Sequence, residues 1–218
     1  MTFRGTLVGL CAAALHAATL AQPAADKKAS VPLWADEHAR EDAGDLAGAI
    51  RACMDILRQH PKDAQAMNTI AGLNGKLGRY RDEIAWAQRA LSADPGFFRA
   101  EINRGTALAQ LGQPRQAQAA FEHARQLAPG DPMPVYSLGV LAENRHDVRA
   151  ATALYEQSVK LDPKFDSGWF NLAAMYATAR RFDDALAALD KVLALDPRAE
   201  DARAMRRRVQ ADKAAAGR

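Results

Sequence analysis

The sequence predicts an all-α solenoid of repeated helical hairpins, and three observations carry that prediction. Pro61, Pro95, Pro129, Pro163 and Pro197 recur at a spacing of 34 residues. Gly44, Gly78 and Gly112 stand 17 residues ahead of the first three of them. The chain is rich in alanine and poor in aromatic residues, at 6%, which suits closely packed helices because alanine is the best helix former. Proline ends a helix, since it lacks the N–H and clashes with the preceding turn. Glycine ends one by taking the left-handed conformation. Each 34-residue unit is therefore a helix, a tight turn, a second helix and a proline break.

Taken in order, the chain opens with a leader. Arg4 is the only charged residue before Asp26, and an apolar run follows from about Gly5 to Ala21. Thr19-Leu20-Ala21 supplies small residues before Gln22-Pro23. This is the pattern of a secretory signal peptide over residues 1–21. It predicts a periplasmic or secreted protein, with an inner-membrane anchor as the alternative if the leader stays. Leu10 stands where a lipoprotein signal before Cys11 needs a small residue, which argues against lipidation. Residues 22–29 are polar and read as a flexible lead-in. Five units then cover 30–63, 64–97, 98–131, 132–165 and 166–199. The first is degenerate, with Asp36-Glu37 where the hairpin core belongs, and reads as a capping unit or a misregistered helix. In the last two units His146 and Arg180 replace the turn glycine, so those turns should differ or be slightly strained. Residues 200–218 hold no proline and are rich in Ala and Arg. They read as a final polar helix that covers the apolar end of the stack, with a short tail.

The units resemble the tetratricopeptide repeat. The best match is 166–199, with Trp169 at repeat position 4, Leu172-Ala173 at 7–8, Tyr176 at 11, Ala185 at 20, Leu189 at 24 and Pro197 at 32. Unit 98–131 supplies Gly105, Ala117, Phe121, Ala124 and Pro129, and unit 132–165 supplies Leu138-Gly139, Ala151, Tyr155 and Pro163. Unit 64–97 departs from the pattern, with Glu83 at position 20 and Ala87 at 24; Trp86 stands ready to fill the gap. The resemblance implies a right-handed superhelix in which the first helix of each unit lines a concave groove. It also implies a non-enzymatic adaptor or assembly factor that holds an extended or helical segment of a partner protein there. By that resemblance the groove residues include Asn68, Arg99, Ile102, Asn103, Met133, Tyr136, Phe170 and Asn171. Asn103 and Asn171 are the candidates to grip a ligand backbone, because an amide bonds both N–H and C=O. Ile102 and Thr106 occupy slots where carboxylate-clamping members carry Lys, Asn or Arg, which argues against that subclass.

The residues offer little for chemistry. The sequence contains no His-x-x-x-His pair, no Cys-x-x-Cys and no glycine-rich phosphate loop, so no metal or other cofactor is expected. The 29 basic and 26 acidic residues leave a net charge of +3, too weak a field to argue for nucleic acid. Arg203, Arg206, Arg207 and Arg208 lack interleaved aromatics and fit a solvated cap. Cys53 falls at position 24, a core slot, and reads as a small buried hydrophobe. Asp36, Glu37, His38, Glu41 and Asp42 form an acidic cluster, read as a solvated helix face. Two alternatives to the adaptor stay open: a small exported enzyme using that cluster, and a self-assembling scaffold, with the chain a monomer or a weak homo-oligomer.

Overall fold

The computed structural model describes residues 31–217. The expected leader over 1–21, the lead-in over 22–29 and Cys11 lie outside the described residues. Eleven helices and no strand occur among those that are described. The first hairpin is α1 (Val31–Asp42) with α2 (Leu46–Gln59). The second pairs α3 (Ala64–Lys76) with α4 (Tyr80–Ala93). The third pairs α5 (Phe98–Gln110) with α6 (Pro114–Leu127), and the fourth pairs α7 (Pro132–Asn144) with α8 (Val148–Leu161). The fifth is α9 (Asp166–Thr178) with α10 (Phe182–Leu195), and α11 (Glu200–Ala216) closes the stack. Each helix packs on its chain neighbours, and α5 also touches α3 and α7. The fold is an all-α helical-repeat solenoid.

The local chemistry of the turns explains the period. Asp45, Asp63 and Asp147 cap their helices, accepting from the backbone N–H of Gly48, Ala66 and Ala150, which satisfies donors the helix leaves open. Pro114 and Pro132 sit at the first helical position, where the missing N–H costs nothing. All five hairpin turns close with one bond pattern. Asp45, Arg79, Gln113, Asp147 and Arg181 donate their N–H to the carbonyls of Arg40, Asn74, Leu108, Ala142 and Tyr176. The residue before each donor is left-handed: Gly44, Gly78 and Gly112 at φ 77°, 70° and 71°, His146 and Arg180 at 59° and 58°. The last two turns keep the same hydrogen bonds. The strain expected there lies in the backbone of two residues that carry a Cβ, at a cost of about 1 kcal/mol each.

Between the two helices of a hairpin, position 8 and position 24 fill each other's space. Phe121 lies so close to Gly105 that a Cβ there would stand 2.5 Å from its ring, and Tyr155 would leave 2.6 Å to a Cβ on Gly139. In the fifth hairpin Ala173 meets Leu189, both fully buried. In the second hairpin Ala71 and Ala87 are both small, and the half-buried Trp86 packs on them as the sequence suggested. The first hairpin is in register, with its own left-handed turn at Gly44. Its position 8 is Glu37, only 1% exposed, and its position 24 is the fully buried Cys53. The solvated reading of the acidic cluster is therefore corrected at Glu37. Asp36, His38 and Asp42 are exposed, but Glu37 occupies the slot where the other hairpins carry Ala or Gly and points into the core.

α11 repeats the placement of a sixth first helix, with Ala202 and Val209 buried against α10. Arg206 bonds Asp190 at 2.8 Å, and Lys213 bonds Asp183. Its outward residues Arg203, Arg207 and Arg208 are exposed, so the stack ends on a charged face.

Candidate functional site

The candidate site is the face of the first helices, where side chains of one hairpin reach those of the next. Asn103 on α5 donates through Nδ2 to Asn68 on α3, at 2.9 Å to its Oδ1 and 3.3 Å to its backbone carbonyl. Asn171 on α9 donates through Nδ2 to the Tyr136 hydroxyl on α7 at 3.0 Å, and more distantly to the Tyr155 hydroxyl at 3.4 Å. Tyr155 in turn donates to Glu143 at 2.6 Å. Both cross-hairpin bonds join residues 35 apart, position 5 of one repeat to position 6 of the next. At the junction between them Ile102 faces this role without a polar group, and Ser137 donates instead to the Met133 carbonyl of its own helix.

The eight sequence-predicted residues thus fall into distinct surroundings. Asn68, Asn103 and Tyr136 are buried, at 9%, 6% and 9% exposure, within the bonds just described. Ile102, at 5%, belongs to the core around Leu108, Phe121 and Leu138, and the half-buried Met133 packs against the same cluster. Phe170 is half-buried beside α10 and α11. Arg99 is half-buried with its guanidinium 5.6 Å from the Phe98 ring centre. Asn171 is half-buried. Tyr155 and Glu143 were missed by the sequence reading. The signal was present in Gly139, whose missing side chain makes room for a ring at position 24. Tyr136 stacks obliquely on Tyr155 at 5.5 Å and edge-on to Phe165 at 5.0 Å. Burial, with Glu143 beside it, pushes the Tyr155 hydroxyl pKa far up, so it stays a neutral donor.

The acidic end is arranged differently. Lys76 on α3 bonds Glu41 on α1. Glu37 lies beside Glu41, with His38 Nδ1 at 3.2 Å from its Oε2. Its Oε1 has no hydrogen-bond partner. Burial raises the Cys53 thiol as well, with Glu37 and Glu41 adding to it, so the thiol is unreactive. Two surface recesses stand out: one of about 240 Å³ between α8 and α9, beside Trp169 and Tyr176, and one of about 290 Å³ beside Asp36, Arg51 and Arg58. Neither is lined by Glu37, Glu41 or His38. No cluster of three potential metal ligands occurs among the described residues, and none of their helices is long and apolar enough to cross a membrane.

Stacked hairpins in register, with a first-helix face tied across repeats, define a helical-repeat solenoid. The tetratricopeptide repeat model matches residues 38–96, 102–164 and 136–200, and the chain belongs to that family. It is 29% identical over 168 residues to cellulose synthase operon protein C of Pseudomonas fluorescens strain SBW25. That match takes in 73% of this chain and only 13% of the relative's length. Among solved structures it resembles TTC0263, a tetratricopeptide protein of Thermus thermophilus, at 20% identity and a TM-score of 0.73, covering 82% of this chain and 97% of that one. It also resembles YrrB, described as having an unusual peptide-binding site, at 20% identity and a TM-score of 0.50, covering 81% and 91%. At such identities the likeness to solved structures is one of fold.

Proposed function

We propose that this protein is a non-enzymatic adaptor or assembly factor that holds a segment of a partner protein along the face of its first helices. The observation that carries the reading is the pair of cross-hairpin bonds. In the first, Asn103 uses its Nδ2 and Asn68 its Oδ1, which leaves one acceptor, Asn103 Oδ1, and one donor, Asn68 Nδ2, outside that bond. An extended backbone presents the complementary pair. Beyond Tyr136, the half-buried Phe170 and Met133 offer apolar area, and Arg99 a cation. Ile102 serves as wall rather than grip. Peptide binding is described for YrrB, a protein of the same fold, and the name of the Pseudomonas relative places that protein in a cellulose synthase operon; both fit a scaffold. The leader over 1–21 would deliver the chain to the periplasm or outside, and an uncleaved leader would hold it at the inner membrane.

A photo-crosslinking amino acid at Phe170 or Met133, compared with one at the outward-facing Gln157 or Arg115, tests this in the native host. The expected result is a discrete protein adduct from the first-helix positions, absent from the outer ones and weakened by Arg99→Ala. Adducts from the outer positions alone would move the binding surface to the second helices and overturn the reading.

A further inference from the structure

We infer that the first two hairpins form a proton-controlled module, closed while the carboxyls of Glu37 and Glu83 are protonated and loosened when they ionise. The two side chains occupy equivalent kinds of place. Glu37 stands at position 8, where later hairpins carry Ala71, Gly105, Gly139 and Ala173. Glu83 stands at position 20, where the others carry Ala49, Ala117, Ala151 and Ala185. Both are walled in, at 1% and 3% exposure. Each keeps one buried carboxyl oxygen, Glu37 Oε1 and Glu83 Oε2, without any partner. The Glu83 carboxyl fills the room a side chain on Gly75 would need, so that a Cβ there would stand 2.6 Å from its Oε2.

A buried carboxylate is tolerated when a cation or several donors meet it. Neither site supplies that to both carboxyl oxygens. Around Glu37, α1 offers Glu41, whose charge and hydrogen bond favour the protonated form, and the exposed His38, whose Nδ1 stands 3.2 Å from Oε2 but also bonds the Trp34 carbonyl; α2 offers the neutral Cys53; α3 offers Lys76, whose ammonium is bonded to Glu41. Around Glu83, burial is the sole influence. Arg79, Arg81 and Asp82 beside it are exposed, and Lys76 of α3 and Arg99, Glu101 and Arg104 of α5 lend it no charge. Burial raises Glu37 to about 7, with His38 and Lys76 opposing and Glu41 reinforcing, and raises Glu83 to about 8. A raised folded pKa means that the folded state holds its proton above the pH at which the unfolded chain releases it. The folded hairpins therefore lose stability as pH climbs from about 4.5 to the folded values. The later hairpins carry no such pair, and in a solenoid each unit answers mainly to its neighbours, so the loosening stays local.

Hydrogen exchange on the intact protein between about pH 5 and pH 9, expressed as protection relative to the unfolded chain, tests this. Protection should fall by up to roughly tenfold per pH unit, in α2 between about pH 5 and 7 and in α4 between about pH 5 and 8. Protection of α8 and α10 should stay flat. Glu83→Gln should flatten the α4 profile and Glu37→Gln the α2 profile. Glu83→Ala, the residue of the other hairpins, serves if glutamine packs poorly. A flat wild-type profile, an equal fall in every hairpin, or a fall unchanged in the variants would overturn the inference.

Discussion

The first two hairpins and the last three have one backbone plan and opposite solutions for the space inside it. In hairpins three to five a small residue at position 8 admits Phe121, Tyr155 or Leu189 at position 24. In hairpins one and two position 24 holds only Cys53 or Ala87, and glutamates fill volume elsewhere in the core. The first solution stabilises by apolar burial, at roughly 1.5–3 kcal/mol for each large side chain. The second stabilises only while its carboxyls are neutral. A repeat backbone therefore does not dictate a repeat core; it accepts any filling whose volume closes the gap.

That contrast can be broken by removing the filling. Tyr155→Ala should cost about 3–5 kcal/mol through the cavity it leaves, with Glu143 and Asn171 also losing a partner. Cys53→Ala at the equivalent slot should cost about 1 kcal/mol. Urea unfolding of both variants measures this, and equal losses would erase the distinction between the regions. The reverse change sharpens the same comparison. Gly139→Ala should cost about 1–3 kcal/mol by driving a methyl into the Tyr155 ring, whereas Gly72→Ala, whose added carbon meets nothing nearer than 3.8 Å, should leave the urea midpoint unchanged or raised. The smallest effect concerns the turns. Arg180→Gly and His146→Gly should each raise stability by about 0.5–1 kcal/mol, because glycine carries no Cβ penalty at positive φ. Thermal unfolding would register the gain, and a loss would mean that these side chains repay their strain elsewhere.

Much of this was legible in the sequence for a local reason. A turn is closed by residues within about six positions of one another, so prolines, glycines and capping aspartates mark hairpins without reference to the rest of the chain. Gly105 and Gly139 were legible as small repeat positions, but the rings of Phe121 and Tyr155 that they admit became evident only in the packed hairpins. The candidate site was only half legible. Asn68, Asn103, Tyr136 and Asn171 were placed on one face by resemblance to the tetratricopeptide repeat. Their pairing across 35 residues could not be read, because it depends on how one hairpin is offset against the next. Ile102, at the same repeat position as Asn68 and Tyr136, turned out to be core, because the rings and leucines around it close over that junction.

The sequence by itself determined the all-α class, the 34-residue unit and the turn positions, since helix starts and stops are written in the chemistry of a few adjacent residues. Only the tertiary structure decided which charged residues face inward. Glu37 and Asp36 are neighbours in one helix and alike in chemistry, yet one is 1% exposed and the other lies in solvent. Burial of a carboxyl is set by the surfaces that a second and third helix bring to it, and those surfaces exist only once the hairpins have stacked.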